Sequence, residues 1–77
     1  MDRLAALRTF IRVAELRSFT AAADALGLSR AAVSEQVAEL ERQLGARLLN
    51  RTTRKVALTP DGAEFFERCL RVLGELD

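Results

Sequence analysis

The spacing of apolar and polar positions changes along the chain, and each change marks an element. Leu4, Leu7, Ile11 and Ala14 recur at helical spacing with Phe10 and Val13 beside them, which predicts an amphipathic helix over 3–16. Arg17-Ser18 ends it. Thr20 suits the N-cap of a short helix over 21–26. The run Ala21, Ala22, Ala23 in that helix favours the conformation and lets another backbone come close. Gly27 stands where a left-handed residue closes a helix, followed by apolar Leu28. Ser29 then caps a third helix over 30–44, with Val33, Val37, Leu40 and Leu44 as the expected buried stripe and Gly45 as its stop. Two helices joined by the turn Gly27-Leu28-Ser29 have the connection of a helix-turn-helix.

From Leu48 the period becomes that of strands. Leu48-Leu49-Asn50-Arg51 and Lys55-Val56-Ala57-Leu58 flank Thr52-Thr53-Arg54, which predicts a small hairpin with a basic tip. Thr59-Pro60 opens a fourth helix, with threonine as cap and proline at the first helical position. Asp61 and Glu64 near its start suit the helix dipole. Along that helix Phe65, Cys69, Val72 and Leu76 form one apolar row. Phe66, Leu70 and Leu73 form a second row about 100° round the axis. One stripe suffices to face a core, so the second row predicts a subunit contact. The expectation is that Phe66, Leu70 and Leu73 seal a twofold dimer while Phe65 and Cys69 face the core. The fold class that results is mainly α, a winged helix-turn-helix: a three-helix core, a two-stranded β wing and a C-terminal helix. The expected division is a winged helix-turn-helix domain over 1–59 and a dimerisation helix over 60–77.

Composition narrows the chemistry. The 77 residues make one small domain with a marginal core, and with a single cysteine no internal disulfide can support it, which again favours oligomerisation. Hydrophobic content of 49% is above that of disordered chains, so the chain should fold. Histidine is absent and Cys69 is the only thiol, which argues against His/Cys metal clusters, His-based triads and Cys–His dyads. The four glycines are isolated punctuation rather than a phosphate loop. No enzyme activity, metal or cofactor is expected, and Cys69 reads as a small buried apolar residue. Asp2, Arg3, Arg8 and Arg12 break any leader-like apolar run, and no stretch approaches the roughly 18 apolar residues of a membrane span. A cytoplasmic setting without a membrane partner is the expectation.

The net charge of +1 conceals a pattern. Residues 43–60 carry Arg47, Arg51, Arg54 and Lys55 with no acid, between acidic stretches over 18–42 and 61–77. A basic island at the wing points to a polyanion. Duplex DNA fits the whole arrangement, because its major groove admits one α-helix and the wing can place cations in the minor groove. The recognition helix 30–44 would contact base edges through its N-terminal residues. Arg30 suits a guanine edge, Ala31 a thymine methyl, and Ser34 a base or a phosphate. Thr20 and Ser29, each at a helix start, suit phosphates. The wing contributes Arg51, Thr52, Thr53, Arg54 and Lys55. The alternative is a winged-helix protein-interaction module docking through the fourth helix.

The ordered set Ser18-Phe19-Thr20, Ala22-Ala23, Leu26, Leu28-Ser29, Ala32-Val33-Ser34, Gln36-Val37, Leu40-Glu41, Leu44-Gly45, Arg47-Leu48-Leu49, Arg51-Thr52-Thr53-Arg54 and Leu58-Thr59 resembles the N-terminal pattern of the LysR-type transcriptional regulators over essentially the whole chain. The resemblance implies a bacterial regulator that binds an inverted-repeat operator as a homodimer, with the fourth segment as linker helix. It also implies continuation into an effector domain that takes a small molecule, which these 77 residues do not include. Two positions depart from the pattern. Arg30-Ala31 stand where many relatives have Gln-Pro, and Glu35 stands where many have a basic residue. Glu35 repels phosphate, yet it can accept from cytosine N4 or pair with Arg30.

Overall fold

A computed structural model of the chain describes residues 3–51 and 56–76. Four helices and one hairpin follow in the order α1 (Arg3–Leu16), α2 (Phe19–Leu26), α3 (Arg30–Leu44), β1 (Leu49–Arg51), β2 (Val56–Leu58) and α4 (Pro60–Leu76). The first three helices pack on one another, and α4 closes the cluster against α1. The two strands pair antiparallel, with Leu49 opposite Leu58, Asn50 opposite Ala57 and Arg51 opposite Val56. The wing tip, Thr52 to Lys55, lies outside the described residues.

The joints between helices are set by local chemistry. Arg17 turns the chain out of α1 in the left-handed region at φ 53°. Ser18, not Thr20, caps α2: its hydroxyl accepts from the Ala21 amide at 3.0 Å. The expected start at 21 is therefore two residues late. The reason is Phe19, whose ring is buried and must share a face with Ala22 and Ala23, positions i, i+3 and i+4 of one helix. The α2–α3 turn is as the sequence predicts. Gly27 is left-handed at φ 70°, and Ser29 is extended with its hydroxyl accepting from the Ala32 amide at 3.0 Å. Gly45 closes α3 at φ 66°. Thr59 accepts from the Gly62 amide at 2.8 Å and donates its hydroxyl to the Arg47 carbonyl, so one side chain caps α4 and ties it to the segment before β1.

The core is drawn from every layer: Phe10 and Val13 of α1, Ala22 of α2, Val33 and Val37 of α3, Leu48 and Leu49 beside the wing, and Cys69 and Leu73 of α4. In α1 the centre of the buried face is Ala6, Phe10 and Val13. The row Leu4, Leu7, Ile11, Ala14 is its edge, and Leu4 is 40% exposed. Leu44 keeps the phase of the α3 stripe but is 45% exposed. It lies over an open groove shared with Asp61, Phe65 and Arg68, where α3 ends before α4 begins.

The faces of α4 differ from the expectation. Leu73, expected at a subunit contact, is buried in the core, and Phe66 packs on Phe10 with ring centroids 6.3 Å apart. Phe65 meets the same ring from 5.6 Å. The buried arc is centred between the two rows, on Cys69 and Leu73, with Phe65 and Phe66 on its shoulders. Leu70 and Val72 lie about 80° to either side of that centre and stay 44% and 50% exposed. Phe10 explains the phase, because one large ring lies against both phenylalanines. Burial pushes the Cys69 thiol up, as expected of a small apolar core residue.

Candidate nucleic-acid interface

Helix α3 turns one face to the core and leaves the other open. Arg30, Ala31, Ser34, Glu35, Ala38 and Arg42 line a single concave surface on the open side. Of the residues that the sequence nominates, the fold gathers Arg30, Ala31, Ser34 and Glu35 there, with Ser29 at the N-terminal end. Small Ala31 and Ala38 keep the floor of this surface accessible to a large partner. Arg30 and Glu35 are exposed, and among the described residues they form no ion pair with each other. Arg42 is engaged with Glu39, Nε to Oε2 2.9 Å. That hydrogen bond, and then the charge behind it, holds the Glu39 carboxyl below the usual carboxylate range.

The wing joins this face through Arg51. Its guanidinium lies 4.2 Å from the centre of the Phe19 ring, and its Nη1 donates to Ser34 Oγ at 3.1 Å. The side chain therefore connects β1, α2 and α3. Thr20 sits one residue inside α2 with its side chain exposed, at the helix start but not as its cap. Thr52, Thr53, Arg54 and Lys55 lie outside the described residues.

Two supports of this face were not read from the sequence. Thr9 is buried, and its hydroxyl donates to Gln36 Oε1 at 2.6 Å, pinning α3 to α1 from behind. A threonine among apolar residues on a helix opposite a glutamine was the available signal. Glu41 Oε2 accepts from the amides of Leu48 and Leu49 at 2.7 and 3.3 Å, so α3 fixes the start of the wing. Nothing in linear spacing announces that contact, because the carboxylate reaches forward past the end of its own helix.

Comparison with known proteins agrees with this geometry. The family described as bacterial regulatory helix-turn-helix protein, lysR family, matches residues 4–63. An HTH-type transcriptional repressor of Pseudomonas aeruginosa is 53% identical over 77 residues, all of this chain and 24% of the repressor. The chain thus spans about a quarter of the length of the curated relatives it resembles. Among solved structures, the BenM_DBD/catB site 1 DNA complex superimposes with a TM-score of 0.93 at 40% identity, over 96% of this chain and 82% of that one. The CbnR_DBD–DNA complex follows with 0.91 at 37% identity, over 95% and 84%. The helix order, the two-stranded wing and the sequence match converge: this chain belongs to the lysR family of bacterial regulatory helix-turn-helix proteins.

Proposed function

We propose that the chain binds double-stranded DNA sequence-specifically as the reading domain of a LysR-type transcription regulator, with α3 in the major groove and the wing 51–55 at the minor groove. The observation that carries this reading is the open face of α3, which holds Arg30, Ala31 and Ser34 and continues into the basic wing through Arg51. A helix packed by one stripe and free on the other is what the major groove accepts. The likeness to the BenM and CbnR complexes with DNA supports a DNA partner.

The function is recognition rather than catalysis, in a cytoplasmic setting. No described helix is long and apolar enough to cross a membrane. Residues 1–59 do the reading, and 60–77 pair two copies on an inverted-repeat operator. Leu70, a large apolar side chain that α4 leaves exposed, is a contact for that pairing. A small-molecule effector acts through a part of the relatives' length that this chain does not span.

The test is the salt dependence of binding to operator and random duplexes. A DNA reader loses affinity linearly in log salt concentration. Replacing Arg54 and Lys55 by alanine lowers the slope, by about one unit for each phosphate that is no longer neutralised. A flat salt response, or no binding to any duplex at low salt, overturns the reading and favours a protein-docking module.

A further inference from the structure

We infer that Arg51 is a positioning residue for recognition, one that turns the Ser34 hydroxyl outward as a hydrogen-bond donor to the duplex. The inference rests on the proposed DNA-binding role. A serine within a helix can return its proton to the carbonyl four residues back. Among the described residues Ser34 makes no such bond to Arg30, and its partner is Nη1 of Arg51. A hydroxyl has one proton and two lone pairs. The guanidinium can only donate, so it occupies a lone pair and leaves the proton to point elsewhere. Ser34 is half-buried on the concave face between Arg30 and Ala38, so its free direction is the open side.

Arg51 is itself held in place. Its flat guanidinium rests on the buried Phe19 ring, an arrangement that the planar cation favours and a lysine ammonium does not reproduce. Phe19 belongs to α2 and Ser34 to α3, so the contact also fixes the wing strand relative to the two helices. The partner of Ser34 is a hydrogen-bond acceptor of the duplex, either a base edge or a phosphate oxygen.

A mutant cycle on the full 77-residue chain tests this, with affinity, salt slope and selected sequence as readouts. Arg51→Ala and Ser34→Ala should each lower operator affinity about tenfold, the scale of one hydrogen bond involving a charged group. The double mutant should also bind about tenfold more weakly rather than a hundredfold, because both changes remove the same donor. The salt slope should stay at the wild-type value, and Arg51→Lys should bind as weakly as Arg51→Ala. Selection from a random pool separates the two acceptors. A base edge gives Ser34→Ala relaxed choice at one position per half-site, whereas a phosphate gives uniform weakening.

Additive effects overturn the inference, as does an unchanged affinity in Ser34→Ala. So does a slope lowered by about one unit in Arg51→Ala and restored in Arg51→Lys, which makes Arg51 a direct phosphate ligand. If Arg51→Ala does not fold, Arg51→Lys with Ser34→Ala completes the same cycle. Failure of the wild-type chain to bind any duplex instead sinks the DNA-binding role, a result separate from failure of the cycle.

Discussion

Gly62 lies in the first turn of α4, where a glycine is ordinarily a liability, and the structure requires it there. A Cβ built on Gly62 meets the Leu48 carbonyl oxygen at 1.9 Å and its carbon at 2.8 Å. Both atoms are backbone and cannot rotate away. Leu48 O also accepts from the Thr59 amide at 3.0 Å, so moving α4 off Leu48 strains the joint between helix and wing. Gly62→Ala gains about 1 kcal/mol of helix propensity. Against this stand an overpacking cost of about 1–3 kcal/mol or more and about 1 kcal/mol for the loosened hydrogen bond. The cost wins, with a net destabilisation of about 2 kcal/mol. At roughly 4–8 °C per kcal/mol for a domain of this size, the melting temperature should fall on the order of 10 °C. Gly74 in the same helix is the internal control, since a Cβ there meets nothing within 4 Å. Gly74→Ala should stabilise by about 1 kcal/mol. Urea unfolding of the two variants side by side is the assay. A Gly62→Ala protein as stable as the wild type would refute the close-approach argument.

Three further outcomes follow from the packing. Glu41→Ala leaves the Leu48 and Leu49 amides without their carboxylate and should cost about 2 kcal/mol in urea unfolding, with Glu41→Gln costing less; equal stability of all three proteins would discount the cap. Cys69 is buried with its thiol pushed up, so a thiol reagent at pH 8 should modify the native chain slowly and the urea-unfolded chain fast; similar rates in both states would contradict the burial. Leu70→Glu should reduce self-association in sedimentation without lowering the unfolding free energy by more than about 0.5 kcal/mol, as for a surface change, whereas Leu73→Glu should unfold the chain; a wild-type chain that stays monomeric with and without operator would end the dimer proposal for α4.

The sequence alone determined the elements whose signals are local. The 3.6-residue period fixed α1 and α3, and Gly27, Ser29 and Gly45 fixed the turns, because a left-handed residue or a hydroxyl cap acts within a few positions of itself. The wing strands and the Thr59-Pro60 start of α4 were legible for the same reason. The open face of α3, with Arg30, Ala31, Ser34 and Glu35, followed once the stripe of Val33, Val37 and Leu40 was identified as buried. Other features depended on residues far apart in the chain. Ser18 displaced Thr20 as the cap because Phe19 had to enter the core. The buried arc of α4 fell between two equally apolar rows because Phe10 of α1 lay against both Phe65 and Phe66, leaving Leu70 and Val72 outside. Gly62 reads as punctuation until Leu48 is brought against it, and Arg51 reads as one more wing cation until Phe19 and Ser34 surround its guanidinium. Periodicity reports which side of an element is apolar, but the direction from which neighbouring elements approach is fixed only when their volumes are packed together.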